Sequence, residues 1–595
     1  MITASSQDGT YPRPQLVREH HHPLDVACGF AYDDDNLGLR EGWHSRADVF
    51  DRKIQLPFAP ETPDSGIGDT GYHPVVWYRI PVPSLAEAGL PVQGERVLLH
   101  FGAVDYSADV WVNGTHVTHH DGGQTPFSAD ITEALAGEGE QVIVLRAEDD
   151  PLDVSIPRGK QDWEREPHDI WYHRTTGIWR TVWLEAVPEQ HVVSVAWIPD
   201  VQRGAFGVEV ELSRRPDGAV PLEVVLSLEG SELARQTVAV TDRRASFEVS
   251  LPAQRNGQAH ERLLWSPSSP VLIDATLTLG GGSDVVASYC GLRSTGVGRG
   301  QFLLNDRPTY VRSVLEQGYW PTSHFTAPSP AALREEVELI LSLGFNAARI
   351  HQKVEDPRFL YWCDRLGLLI WGETAGAYEF STTAVQRLVS EWTDIVLRDR
   401  SHPSVVTWVP LNESWGVQHG AHDPAQQAFG LALVNLTRSL DPTRPVISND
   451  GWEHTDSDLW TIHDYEASGE VLRARYGSRE TVEELICGFG PAGRLISVLR
   501  EEPGDKPVML TEFGGVSYAP GTPFEDSWGY SAASSADDFA ARVGEIVSAV
   551  RASPSLVGFC YTQLTDTRQE TNGLCDEDRK PKLPVEDLRR IISGS

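Results

Sequence analysis

The sequence predicts a multidomain chain: a β-sandwich over residues 1–187, an immunoglobulin-like β-sandwich over 188–293 and a (β/α)8 barrel over 294–595. Three observations carry this division. The first third is made of short β-branched and aromatic runs separated by turn signals, with no long 3.6-residue period. The next stretch alternates apolar and polar residues more densely. From Gln301 onward, eight apolar runs alternate with helical patterns, which is the repeat of a closed parallel barrel.

In the front unit, 75–81, 96–101 and 108–112 read as strands, and Asn113-Gly114 and Asp121-Gly122-Gly123 as the turns that end them. In the second unit, 207–212, 222–228 and 246–251 alternate with period two, which suits two packed antiparallel sheets. In the third, the candidate strands are 309–314, 346–351, 368–373, 405–411, 446–449, 459–464, 507–512 and 556–563. Helical patterns cover 330–343, 357–366, 384–399, 424–440, 480–500, 535–552 and 586–592, and the short gap 451–458 is expected to hold no full helix. An open doubly wound sheet is the alternative, but no glycine-rich phosphate loop follows any strand, which removes its nucleotide-binding form.

Composition narrows the function. Lys plus Arg total 50 and Asp plus Glu 85, for a net charge of −35. So acidic a chain repels phosphate backbones and anionic membranes, so nucleic acid is not an expected partner. No apolar run reaches the roughly 18 residues of a membrane span. Residues 1–8 show no basic patch leading into an apolar stretch, so no secretory signal is expected. Cys28, Cys290, Cys363, Cys487, Cys560 and Cys575 are scattered without a C-x-x-C pair, which argues against disulfides or a zinc site and fits the cytoplasm. His20-His21-His22 reads as an exposed turn. Asp33-Asp34-Asp35-Asn36 lacks the glycine and closing glutamate of a calcium loop and reads as a solvated turn. The charged segment 154–169 reads as a solvated loop able to rim a pocket.

The chemistry of such a barrel sits at the C-terminal ends of its strands. The fourth candidate strand runs into Asn412-Glu413-Ser414-Trp415, and the seventh ends in Thr511-Glu512-Phe513-Gly514. These strands lie nearly opposite one another, so two carboxylates can face a shared centre. Glycosidic cleavage needs such a pair, one carboxyl protonating the leaving oxygen and the other attacking the anomeric carbon. A separation of about 5–5.5 Å retains configuration and about 6.5–9.5 Å inverts it. Trp371, Trp415, Trp452 and Tyr561 lie near strand ends, where aromatic faces can stack on sugars. His351, Asp450, His463 and Gln563 also stand at or just beyond strand ends and join the substrate-binding candidates.

Asn412-Glu413 and Thr511-Glu512-Phe513-Gly514 resemble the acid/base and nucleophile motifs of glycoside hydrolase family 2, which contains β-galactosidases, β-glucuronidases and β-mannosidases. The likeness spans most of the chain. Trp111-Val112-Asn113-Gly114, 125–132 and 176–185 resemble the family's jelly-roll, sugar-binding-like domain; 302–308 resembles its lead into the barrel, and 344–351 its second barrel strand. The resemblance implies that Glu413 is the acid/base and Glu512 the nucleophile. It implies that Asn412 contacts the sugar 2-hydroxyl, Arg349 keeps Glu512 ionised, and Tyr465 donates to the nucleophile. Implied with these is a retaining exo-glycosidase on an oligosaccharide or simple glycoside, with no cofactor and with homo-oligomerisation left open.

Departures from the family bear on the sugar. The family's histidine place after the strand-two arginine holds Gln352, with His351 one earlier. β-Glucuronidases carry an Asn-x-Lys pair that clamps the sugar carboxylate; the corresponding residues here are Glu570 and Asn572, and nothing visible replaces the lysine. A neutral sugar is therefore expected, with β-galactoside first and β-galactofuranoside or α-L-arabinofuranoside as alternatives. The magnesium-supporting pair of the large β-galactosidases is not evident, so no metal is expected. The family's front domain sends an acid into the site six residues before Gly177; Trp171 holds that place, and Asp169 is the nearest acid. Two further readings stay open: a non-catalytic carbohydrate binder, which has no need of both glutamates, and a transglycosylase.

Overall fold

The computed structural model describes residues 3–91, 95–135, 141–499, 503–521 and 527–594. In the front unit, a four-stranded antiparallel sheet (His21–Pro23, Val182–Pro188, Glu95–Phe101, Phe127–Asp130) faces a six-stranded one (Arg52–Gln55, Ala27–Tyr32, Val75–Val82, Gln141–Glu148, Ser107–Val112, Thr115–Asp121). Phe30, Tyr78, Ile80, Leu99, Val110, Leu145 and Leu184 fill the space between them. The larger sheet is covered on its outer face too, where Trp77 stacks on Trp111 with ring centroids 5.6 Å apart. That is why Val75–Val82 is apolar almost throughout rather than alternating.

Two expected turns differ. His21 and His22 lie on an edge strand paired with Glu185 and Leu184. Asp33 is buried and accepts from the backbone N–H groups of Leu37 (2.7 Å) and Gly38 (2.8 Å) and from Trp77 Nε1 (3.0 Å). It ends the turn by replacing water as the acceptor of those groups.

The second unit packs a three-stranded sheet (Val192–Asp200, Ala205–Leu212, Arg244–Ser250) on a four-stranded one (Ser231–Val240, Val220–Leu228, Ile273–Leu279, Asp284–Cys290), as immunoglobulin-like sandwiches do. Ile273–Leu279 alternates strictly between buried and half-buried positions, so its sequence period is visible in the structure. Asp364, on a barrel helix, ties this unit to the barrel. Its carboxylate accepts from Tyr289 Oη (2.8 Å), His402 Nδ1 (2.5 Å) and the Ser404 N–H (2.9 Å), while Trp265 Nε1 donates to its carbonyl (2.7 Å).

The third unit is a parallel barrel. Seven strands run in the order Val405–Val409, Leu369–Glu373, Ala347–Ile350, Val311–Glu316, Leu556–Thr562, Val508–Gly514, Trp460–His463. The expected fifth strand joins the sheet only through isolated bridges on the fourth-strand side, Trp408 with Val446 and Asn412 with Asp450. Its other edge does not form a ladder because side chains take its donors: Asp458 accepts from the Val446 N–H (2.7 Å) and Ser457 from the Ser448 N–H (2.8 Å). The helices follow their caps. Ser329-Pro330, Asp356-Pro357 and Asp423-Pro424 each place a capping oxygen before a proline at the first helical position. The expected helix 480–500 is instead two, Gly469–Tyr476 and Arg479–Cys487, each capped by a serine. The second stops at Gly488, with Gly490 and Pro491 following; Arg500 lies outside the described residues. Among the described residues no helix is long and apolar enough to cross a membrane.

Asp364→Ala leaves a buried phenol, imidazole and amide without an acceptor. The substitution is expected to lower stability by about 2–4 kcal/mol, read as a lower urea midpoint by tryptophan fluorescence.

Candidate active site

Glu413 and Glu512 meet at the C-terminal mouth of the barrel. Glu512 lies within the strand Val508–Gly514, and Glu413 follows Val405–Val409 in a turn where it and Ser414 both take positive φ, 51° and 59°. Such a backbone persists only where its surroundings over-determine it. Here the Glu413 N–H donates to the Asp450 carbonyl (3.0 Å), the Ser414 N–H to Asn449 Oδ1 (2.9 Å), and Ser414 Oγ to Glu453 (2.6 Å).

Arg349 sits fully buried beside Glu512. Its Nε donates to Glu373 (2.8 Å), Nη1 to Glu512 Oε1 (2.9 Å) and Nη2 to Asn412 Oδ1 (2.6 Å), and Nη1 forms an ion pair with Asp450 Oδ2 (2.7 Å). The planar fork serves several acceptors at once, which an ammonium cannot do in fixed directions. Binding Asn412 through oxygen leaves its Nδ2 buried and without a partner, a donor free for a ligand. Glu373 is a centre of the site that the strand-end reading passed over, because it faces the guanidinium and not the opening.

The two glutamates are driven apart electrostatically. Burial and the charge of Glu512 hold Glu413 above the usual carboxylate range, against a hydrogen bond from His463. Burial pushes Glu512 the same way, but His463 and Arg349, with the Tyr465 hydroxyl at 2.5 Å from Oε2, outweigh it and bring it below that range. His463 explains much of this. Burial disfavours its charge, yet Glu512 and Asp450 raise it to about 10, so it is an imidazolium. It donates through Nδ1 to Glu413 Oε1 (2.7 Å) and through Nε2 to Asp450 (3.1 Å). Asp450, held far below the carboxylate range despite burial by Arg349 and His463, is the fixed anion of the group. Among the described residues, Glu413, His463 and Glu512 form the cluster whose side-chain atoms converge closely enough to hold a cation.

Other expected residues divide. His351 is buried and kept neutral by burial and by Arg349, whose Nη2 donates to its Nδ1 (3.2 Å). Trp415 and Trp452 are half-buried at the mouth, and Trp452 meets His463 edge-on with centroids 5.6 Å apart. Trp371 and Tyr561 are instead core residues, 1% and 0% exposed, and offer no platform. Gln563, Asn572 and Glu570 form a buried relay: Gln563 Nε2 donates to Asn572 Oδ1 (2.8 Å), Asn572 Nδ2 to Glu570 Oε1 (3.1 Å), and Tyr172 Oη to Glu570 Oε2 (2.5 Å). Asp169 is exposed and does not reach the cluster; its contribution is a backbone carbonyl that accepts from Gln569 Nε2 (3.0 Å).

The front unit enters the site by another residue. Half of segment 154–169 is not solvated: residues 155–162 are buried between the front sandwich and the barrel loops. The N–H groups of Arg158 and Gly159 donate to the Gly376 carbonyl (3.1 and 3.0 Å), and Tyr378 Oη to the Gln161 carbonyl (3.0 Å). Lys160 is thereby set over the Trp415 ring, its ammonium 5.6 Å from the centroid, and Trp171 stacks beside Trp415 at 5.8 Å. The front unit thus brings a cation beside Trp415, a residue that the clamp loop itself does not supply. Alternating charge in 158–166 hid this residue, since only the docking surface distinguishes it from its solvated neighbours.

A parallel barrel with two facing carboxyl groups, one shifted above the usual carboxylate range and the other below it, is the arrangement of a glycoside hydrolase. Residues 296–515 match the TIM barrel domain of glycosyl hydrolases family 2 and residues 67–188 the family's sugar binding domain, together more than half of the chain. The protein belongs to this family and is a glycosyl hydrolase. It is 28% identical over 497 residues to a β-glucuronidase of Canis lupus familiaris (72% of this chain, 73% of that one). It is 25% identical over 444 residues to a β-galactosidase of Thermoanaerobacter pseudethanolicus (71% of this chain, 53% of that one). Its fold superposes with TM-score 0.74 on a β-galacturonidase from Eisenbergiella tayi (19% identity, 98% and 97% of the chains). With a β-glucuronidase from Ruminococcus gnavus in complex with D-glucuronic acid the score is 0.75 (18% identity, 98% and 99%).

Gly159 has φ +59°, and a β-carbon there would stand 2.2 Å from the Gln352 carbonyl oxygen. Gly159→Ala is expected to lift the loop from the barrel, lower stability by about 1–3 kcal/mol, and expose segment 154–169 to limited proteolysis.

Proposed function

We propose that the protein is a retaining, exo-acting glycosidase that frees a terminal sugar through a covalent glycosyl-enzyme on Glu512. The observation that carries this is spacing: carboxylate oxygens of Glu413 and Glu512 lie within 4.8 Å of each other. That approach is nearer the about 5–5.5 Å spacing of a retaining pair than the about 6.5–9.5 Å of an inverting one. In the first step Glu413 gives its proton to the glycosidic oxygen as a Glu512 oxygen bonds to the anomeric carbon. In the second it takes a proton from water, which attacks that carbon and releases Glu512. Because His463 Nδ1–H occupies Glu413 Oε1, Oε2 is the oxygen that carries the transferred proton. Arg349 and Tyr465 each hold one Glu512 oxygen, which orients the carboxylate and keeps it ionised. The free Nδ2 of Asn412 suits the sugar 2-hydroxyl.

Relatives named β-glucuronidase and β-galactosidase support a β-linked sugar, neutral or acidic, and lend nothing to the furanoside alternatives. Glu570 and Asn572 stand in the places of the clamp's asparagine and lysine, so this barrel loop brings no cation to a uronate. A purely binding role has no use for two glutamates with opposed proton affinities.

Glu413→Ala is expected to lose about 1000-fold in kcat/KM on alkyl glycosides and no more than about tenfold on dinitrophenyl glycosides, whose leaving oxygen needs no proton. The pH profile of the wild type should rise as Glu512 ionises and fall as Glu413 loses its proton; the alanine variant should lack the falling limb. Equal losses on both leaving groups reject the assignment.

A 2-fluoro glycoside with a good leaving group should add one sugar to the intact mass, mapped to Glu512, because fluorine slows both steps while the leaving group lets the first proceed. Glu512→Gln should not label. An adduct on Glu413 would reverse the two roles.

A further inference from the structure

The Lys160 ammonium is the charge in the pocket that the reaction as described does not use. The residue is 4% exposed, yet among the described residues its Nζ makes no hydrogen bond and no ion pair. What surrounds it is aromatic, with the Trp415 ring at 5.6 Å and the Tyr172 ring at 6.0 Å. Its charge acts on Glu413, His351 and Glu570, so it lies within electrostatic reach of the catalytic acid. A nearly buried ammonium without an anion is costly and persists where a ligand supplies the partner.

The groups nearby do not supply it. Burial and Glu512 raise Glu413 above the usual carboxylate range and His463 occupies its Oε1, while burial and Arg349 keep His351 well below its usual range. Glu570 has both oxygens taken, by Tyr172 and Asn572, and burial raises it above the usual carboxylate range. The loop that carries Lys160 is anchored at the backbone on both sides of it, through Gly159 and through the Lys160 carbonyl, which accepts from the Tyr172 N–H (2.8 Å). The ammonium therefore stays in place for a ligand and does not swing to solvent.

Accepting the retaining glycosidase reading, we propose that Lys160 binds an anionic substituent of the terminal sugar, the carboxylate of a hexuronic acid, and so makes the enzyme selective for uronides. The positive charge then comes from the front unit, while the barrel loop that holds Glu570 and Asn572 shapes the wall behind it. A neutral hexose would leave the ammonium paired only with hydroxyl groups.

The test uses two pairs of nitrophenyl β-glycosides that differ only at C6, glucuronide with glucoside and galacturonide with galactoside. The wild type should favour the uronide of at least one pair by about 100-fold in kcat/KM, the size expected when a buried charge gains its partner. Lys160→Met keeps the stem against Trp415 and removes the charge. It should erase that preference by lowering uronide turnover about 100-fold more than it lowers turnover of the matched neutral glycoside. Lys160→Arg should recover part of the preference, and free glucuronate or galacturonate should compete more weakly with Lys160→Met than with the wild type. A wild type that prefers the neutral member of each pair, or accepts neither, overturns the proposal, as does equal loss on both members in Lys160→Met. In that event, labelling of Glu512 by a neutral 2-fluoro glycoside leaves the retaining mechanism standing, whereas its absence removes both.

Discussion

The site is organised around one buried cation. Arg349 is 0% exposed and holds Glu373, Asp450, Glu512 and Asn412, which come from four different positions around the barrel. No pair of these acids could share so dry a space without it, and removing one partner of such a group commonly costs about 3–5 kcal/mol. The guanidinium therefore does two things at once. It draws the ends of the strands toward the axis, and it decides that Glu512 is a carboxylate before any sugar arrives. Asn412 is aimed by the same bond, since its oxygen is taken and only its amide hydrogens remain to be offered.

A second cation grades the two glutamates. His463 touches Glu413, lies 3.5 Å from Glu512 and donates to Asp450. Asp450 and Glu512 keep it charged, and it lowers both in return. Glu413 feels His463 and Lys160 but also burial and the charge of Glu512, while Glu512 has the hydrogen-bonded Arg349 in addition to His463. Identical side chains are thus shifted in opposite directions by their surroundings, the arrangement that acid and nucleophile roles require.

The front sandwich is part of the pocket and not an appendage. Its loop 155–162 is buried against the barrel, and Tyr172 closes the far side of Glu570. Two rigid units thus meet around the substrate space, and a loop docked through backbone hydrogen bonds places a charge as firmly as a strand end does.

Much of this was legible in the residues. Period-two alternation, the serine and aspartate caps before proline, and apolar runs ending in carboxylates determined three units, most barrel elements and the pair Glu413 and Glu512. Those signals are local, because each reflects which face of one element is dry. The tertiary structure decided what depends on elements distant in sequence. It moved Trp371 and Tyr561 into the core, reduced the fifth strand to bridges by lending its donors to Ser457 and Asp458, and left Asp169 outside. It also brought Glu373 under the guanidinium and Lys160 over Trp415. A charge in a mixed-sign stretch looks the same in sequence whether water or another domain covers it, and only the packing of the front unit on the barrel separates Lys160 from its exposed neighbours.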